Sequence, residues 1–340
     1  MQNELSRRTV LQLLLAGAAS TMTFPFDSRR RPWLFVTNSE GADIDVIDLE
    51  RLEVVKDWAV GQKPHGIAAP AGGRVIYTTI ESENALKALD AVSGKVIHTL
   101  ALAGRPNQCA VTPDGKFLAV PIFDGDCVQI VSAEEMKILK TLPIKRPHNC
   151  LNAGTNQHMF VTSTGSNQVN MIDLKTLEYM AEIPVGGVPR PIAVSPDERT
   201  LYVALSGFHG FVIADIPARQ VVRKIEFPAL PAGTDLRPLL NTATHGLTVT
   251  PDGKELWAAS LASGNVYVYD VASGKLSPKI PVGLLPNWIA FSPDSRYACV
   301  SNTGSNDCSI VDRQSHKEVA RIKVGKAPKR LVAAAVEQKV

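Results

Sequence analysis

The sequence lacks most of the short motifs that announce an activity. Its five cysteines, Cys109, Cys127, Cys150, Cys299 and Cys308, form no Cys-x-x-Cys or Cys-x-x-Cys-His pattern, which excludes a covalently attached c-type haem. There is no Gly-x-Ser-x-Gly elbow, no phosphate-binding loop and no dinucleotide fingerprint. Charged residues are only 20% of the chain and the net charge is +3 with both signs interspersed, so no basic face is available for nucleic acid. Long apolar runs are missing too: the stretch from Leu13 to Phe26 is short and diluted by Ala, Gly and Thr, a poor membrane span. What remains is a hydrophobic content of 45%, enough for a packed core and against disorder.

The N-terminus carries an address. Ser6-Arg7-Arg8-Thr9-Val10-Leu11-Gln12 precedes the apolar run, and residues 1–26 read as a signal peptide with a charged start, a short apolar centre and small residues near its end. The paired arginines resemble the twin-arginine export signal, although Val10 and Gln12 stand where that signal usually has Phe and Lys. No cysteine follows for lipid anchoring. The expectation is a periplasmic protein with no membrane span once the signal is removed. In an oxidising compartment an odd number of cysteines leaves at least one unpaired. Cys109 and Cys150 occupy slots filled elsewhere by Ile or Leu and read as small buried hydrophobes.

One short unit recurs seven times and organises the rest. It reads Pro64-His65-Gly66-Ile67, Pro106-Asn107-Gln108-Cys109, Pro147-His148-Asn149-Cys150, Pro189-Arg190-Pro191-Ile192, Thr244-His245-Gly246-Leu247, Pro286-Asn287-Trp288-Ile289 and Pro328-Lys329-Arg330-Leu331. The second residues stand at 65, 107, 148, 190, 245, 287 and 329, a period of about 42 with one insertion of about 13 before His245. Such a period, built from short strands and turns, predicts a β-propeller. Pro-Asp-Gly turns (Pro113-Asp114-Gly115, Pro251-Asp252-Gly253) and aspartates at third-strand ends (Asp48, Asp90, Asp173, Asp215, Asp270, Asp312) punctuate each unit, and these aspartates read as turn residues. The first unit lacks an inner strand and the last segment, Leu331 to Val336, is an inner strand with nothing after it. The expectation is therefore an all-β, seven-bladed propeller with four-stranded blades over residues 33–336, closed by the C-terminal strand in blade 1.

The units Leu34-Phe35-Val36-Thr37-Asn38 and Leu201-Tyr202-Val203-Ala204, with Val46-Ile47-Asp48 and Val60-Gly61, resemble the YVTN-repeat β-propellers. The resemblance spans residues 33–336. It implies the fold and leaves function open, because propellers of this kind host cytochrome d1-type, lactonase-type and metal-binding exported proteins. The haem-binding relatives usually have eight blades.

Function is expected at the ring formed by the second residues. Three of the seven histidines, His65, His148 and His245, fall at this one repeat position in blades 2, 4 and 6. Placed roughly 100° apart around the channel, they offer a three-imidazole face for copper, zinc or iron. His209, in the loop Ser206–Gly210, is a candidate fourth ligand or proton shuttle. Arg190 and Lys329, with Asn107 and Asn287, would hold a small anionic ligand or the anionic part of a cofactor; alternatively the cations pair with Glu40, Glu81, Glu83, Asp124 or Asp126. The long 228–244 loop is a candidate lid or contact for a periplasmic protein partner. The expected function is binding of a metal or metal-containing cofactor, in redox chemistry or cofactor handling. A lactonase-like hydrolase and a non-catalytic interaction platform are the alternatives.

Overall fold

The computed structural model describes residues 30–337, so the expected signal segment 1–26 lies outside the described residues. Within them the backbone forms seven antiparallel sheets, six with four strands and one with five. In six of these blades the strands follow chain order from the axis outwards. In blade 1 the order is the C-terminal strand Pro328–Glu337, then Arg30–Asn38, Asp43–Asp48 and Glu53–Ala59. Pro328–Glu337 runs antiparallel to Arg30–Asn38, from Arg30 opposite Glu337 to Asn38 opposite Pro328. The expected closure is therefore observed, and it gives Arg30–Asn38 a partner strand on both sides.

Burial follows from position in the blade. Middle strands are covered on both faces by neighbouring blades, which is why Thr200–Leu205 is a near-continuous apolar run and is buried almost throughout. Outer strands have one wet face and alternate accordingly, as in Lys317–Lys323. The core is a set of interblade layers. Between blades 5 and 6, for example, Phe227 stacks on Tyr267 with centroids 4.3 Å apart, and Tyr202 and Phe211 pack beside them. Cys109 and Cys150 lie in two such layers. All five cysteines are buried and free.

The turn aspartates behave as expected. Asp48 Oδ1 accepts from the amides of Glu50 (2.9 Å) and Arg51 (3.1 Å), and Asp312 Oδ1 from that of Ser315 (2.9 Å). Two blades depart from regularity. The inner strand of blade 3 is reduced to Ala110–Val111, with Pro106 bridging to Ile122. The outer strand of blade 6 is split into Lys275–Leu276 and Ile280–Pro281 around Pro278, which has no amide hydrogen to give the ladder. No helix among the described residues is long and apolar enough to cross a membrane.

Candidate functional site: the axial ring

The ring residues leave the strand ladder at the moment they reach the axis. Pairing of inner with second strand shifts register between Pro64 and Ile67, Pro147 and Cys150, Pro189 and Ile192, and Thr244 and Leu247. A bulge there frees the residues in between from the pleat and lets them aim elsewhere. The turns feeding these strands are tight. Lys63, Arg146, Leu285 and Ala327, each just before a ring proline, have φ of 57°, 46°, 52° and 55°. The same left-handed conformation recurs at other turns, as at Leu52, Leu177 and His316, so here it is a turn geometry that delivers the chain to the ring.

Buried hydroxyls lock the bulges together. Thr79 Oγ1 accepts from the Gly66 amide of its own blade (2.7 Å) and donates to the Asn107 carbonyl of the next (2.8 Å). Thr37 does the same between Arg330 N (3.2 Å) and His65 O (3.0 Å), and Ser301 between Trp288 N (3.1 Å) and Lys329 O (2.8 Å). Backbone approach is close here: a Cβ on Gly246 would lie 2.8 Å from Asn287 O and from Trp288 Cα. The ring is thus a braced part of the scaffold, fixed by groups the sequence reading had not singled out. Their signal was present, since Thr37, Thr79, Thr162 and Ser301 share one repeat position.

Each histidine is held differently. His65 is buried and its Nδ1 bonds the Glu81 carboxylate, leaving Nε2 with no partner among the described residues. His245 donates Nδ1–H to the Asn287 carbonyl at 2.9 Å, so its lone pair is on Nε2. His148 has an unpartnered Nδ1 and meets His245 edge-on, ring centroids 6.2 Å apart. Burial lowers all three well below the ordinary imidazole value of 6.5, and the charge of Arg330 acts in the same direction on each. They are neutral donors at neutral pH. Burial raises Glu81, against the pull of Lys329 and Arg105.

The structure gathers His65, His148 and His245 at the axis but does not bring their nitrogens within 4.8 Å of one another. Among the described residues only Asp43, Asp45 and Asp57 form so tight a three-residue group, and they lie in blade 1. His209 stands apart. Its Nε2 is 2.8 Å from Ser260 Oγ, and its ring packs against Phe227 and Tyr267 in the layer between blades 5 and 6.

The cations divide into three roles. Arg190 serves the inserted loop: Nε donates to Ser206 Oγ (2.7 Å) and Nη2 to the Leu240 carbonyl (2.8 Å). Arg105 forms a two-pronged pair with Asp124 (2.8 and 3.1 Å) and comes within 3.8 Å of Glu81. Lys329, whose ammonium is pushed down by burial and by Arg330, makes no ion pair within 4 Å among the described residues. The sequence places Arg330 only beside the ring; the structure buries it completely. Its guanidinium lies over the Trp288 ring, 4.0 Å from the centroid. Nη1 bonds Asn287 Oδ1 at 3.2 Å; the 3.4 Å approach to His245 Nδ1 sets two donors side by side, because that nitrogen already donates to Asn287 O. Nε and Nη2 have no partner among the described residues, and burial pushes the group down to about 9. Asn107 Oδ1, Gln108 Oε1 and Asn149 Nδ2 are likewise buried and unpaired.

These features define a seven-bladed β-propeller whose axis carries neutral imidazoles, amides and cations with bonding capacity to spare. The sequence profile of the YNCE-like beta-propeller family matches residues 34–237, and the chain belongs to that family. It is 22% identical over 281 residues to a 6-phosphogluconolactonase of Erwinia tasmaniensis, covering 75% of this chain and 80% of that protein. It is 23% identical over 283 residues to protein NirF of Stutzerimonas stutzeri, covering 76% and 68%. Among solved structures, the dihydro-heme d1 dehydrogenase NirN in complex with DHE superposes with a TM-score of 0.65 at 16% identity, over 86% of this chain and 63% of that one.

Proposed function

We propose that this protein binds an anionic, metal-containing cofactor on the ring face of the propeller and handles it outside the cytoplasm, as the twin-arginine-like N-terminus suggests. The observation that carries this reading is the His65–Glu81 pair. A carboxylate on Nδ1 fixes the ring and raises the basicity of the other nitrogen, which is how protein imidazoles are prepared for a metal. That nitrogen, Nε2, is buried and unpartnered. A bare divalent ion fits poorly, because Arg330 and Lys329 oppose it and the three histidines are too far apart to close around it. A metal already held in an anionic chelate fits better: the His65 imidazole would be its protein ligand, and Lys329, Asn107 and Asn287 would meet its acidic groups. Copper, zinc and iron are all compatible with imidazole. The likeness to a propeller solved as a dihydro-heme d1 dehydrogenase with DHE bound makes a tetrapyrrole the chelate to test first.

The test is a spectroscopic titration of the purified protein with iron tetrapyrroles. A saturable shift of the absorption bands in wild type, lost in His65→Ala and kept in His209→Ala, is the expected result. No shift in folded wild type would refute the reading.

Lactone hydrolysis is favoured by a separate feature: a carboxylate-held neutral imidazole beside Lys329 and Arg330 can act as general base on an anionic substrate. The 6-phosphogluconolactonase relative points the same way. Saturable hydrolysis of a phosphorylated δ-lactone, abolished by His65→Ala, would favour this second reading over the first.

A further inference from the structure

The ring face has two unlike halves. The residue just before each ring unit holds one repeat position, and around the propeller it reads Lys63, Arg105, Arg146, Val188, Ala243, Leu285 and Ala327. Blades 2, 3 and 4 thus bring cations to the channel mouth at this position, and blades 5, 6, 7 and 1 bring none. The loops between second and third strands divide in a similar way. Those of blades 1 to 3 hold Glu40, Glu81, Glu83, Asp124 and Asp126. Those of blades 4 to 7, residues 164–167, 206–209, 261–264 and 303–306, contain no Asp, Glu, Lys or Arg.

On the charged half the acids already have partners. Glu40 pairs with Lys326 (3.5 Å), Glu83 with Lys87 (2.7 Å), Asp124 with Arg105 (2.8 Å) and Glu81 with His65, while Asp126 Oδ1 accepts from the Arg146 amide (2.8 Å). Lys63 and Arg146 are exposed and make no ion pair among the described residues. The uncharged half has an apolar excess instead. Of the ten large hydrophobic side chains that stand exposed among the described residues, eight lie on outer strands. The other two, Leu240 (73% exposed) and Leu284 (64%), are the most exposed of the set, and both precede ring units on the ring face. Leu240 is held there through its carbonyl by Arg190 (2.8 Å). Leu284 is fixed by its amide on Ser305 Oγ (3.0 Å) and by the Gly304 amide on its carbonyl (2.9 Å).

We propose that this face orients its ligand: it takes an anionic chelate with carboxylates gathered on one edge, setting that edge toward Lys63 and Arg146 and the apolar edge over Leu240 and Leu284. This rests on the chelate reading above and adds which chelates the site accepts. In that pose the carboxylates meet cations that no acid of the rim competes for, and the leucines leave water. A chelate with acids on every side must set a carboxylate against the leucines, where desolvation costs and no cation answers it.

The probes are iron protoporphyrin IX, whose propionates share one edge, and iron coproporphyrin I, which carries one on every pyrrole. Each is titrated by absorption into full-length protein, with circular dichroism to check folding of the variants. The first should bind tighter by about tenfold or more. Lys63→Glu combined with Arg146→Glu should weaken it by about tenfold or more, and Leu284→Lys, which puts a cation on the uncharged half, should narrow or reverse its lead. All three positions are exposed, so the fold is expected to survive. Equal affinities in wild type, or a lead unchanged in Leu284→Lys, would overturn the orientation and leave the chelate reading standing as long as binding still needs His65. Binding of neither probe would overturn both.

Discussion

His65 and Glu81 are joined through Nδ1 of the imidazole, and this one bond decides which nitrogen is left without a partner among the described residues. Glu81→Gln keeps the shape and an acceptor oxygen but removes the charge that makes Nε2 basic. Tetrapyrrole affinity should fall about 10–100-fold in this variant, the usual effect of losing such a support. Absorption titration beside a circular dichroism check of folding measures it. Unchanged affinity would show that His65 is not the ligand.

Stability of the metal-free protein should depend on pH through the three histidines. Burial first, and then Arg330 or Lys329, lowers each below 6.5 in the fold. Below 6.5 the unfolded chain takes up protons that the folded chain refuses. The stabilisation is therefore complete above about pH 6.5 and is lost as pH falls. Replacing His148 by Gln should flatten this slope between pH 6.5 and 5 in urea titrations, because one proton fewer is exchanged on unfolding. An unchanged slope would mean that His148 titrates normally.

The hydroxyl braces make a sharper claim about the ring. Thr79→Val leaves the Gly66 amide and the Asn107 carbonyl without their buried partner. A loss of about 1–3 kcal/mol is expected from urea unfolding. Thr176→Val, at an exposed turn position, should stay within about 0.5 kcal/mol of wild type. Equal effects at the two sites would remove the brace from the account.

The fold was legible because a propeller repeats its errors and its rules alike. Seven occurrences of Pro-x-x-Ile-like units fixed the period, and the orphan strands at the two ends of the repeat array demanded each other. The axial location of His65, His148 and His245 followed from the same register. The chemistry of the ring did not. Glu81 lies 16 residues from His65, and what joins them is the pairing of Pro64 with Ile80, which sets the start of the inner strand beside the short turn Glu81–Glu83. Arg330 reads as one more surface cation until its neighbours Trp288 and Asn287 are seen to enclose it. His209 shows the reverse failure: a loop position near the ring in sequence turned out to face Ser260 and Phe227. Side-chain direction at a bulge is set by tertiary contacts, which no repeat pattern encodes.

Close approach of blades 6 and 7 gives a further test. Gly246→Ala sets a methyl 2.8 Å from Asn287 O and Trp288 Cα, both backbone atoms with little freedom to move. A destabilisation of about 1–3 kcal/mol is expected. Gly72→Ala has nothing within 4 Å of the new methyl and should change stability by about 0.5 kcal/mol at most. Thermal melts of the two variants, at one pH, compare them directly.

Arg190 makes a different prediction from the one its place in the ring suggests. Its guanidinium is bonded to Ser206 and to the Leu240 carbonyl, so it ties the 228–244 insertion down on blade 5. The loop holds a turn at 231–234 and one short helical turn, Arg237–Leu239, and Leu240 is 73% exposed. Arg190→Ala removes this tie, keeps the bond from the Gly207 amide to the Asn241 carbonyl (2.6 Å), and leaves the blade core untouched. Opening of the loop should rise by about tenfold, the equivalent of a charge-assisted hydrogen bond, while the thermal midpoint moves little. Thermolysin, which cuts before leucine, reads this at Leu236, Leu239 and Leu240, and at low enzyme its rate follows the open population. Faster cutting with an unchanged midpoint would establish Arg190 as the anchor of the insertion; unchanged cutting would return it to the ring as a free cation for the ligand.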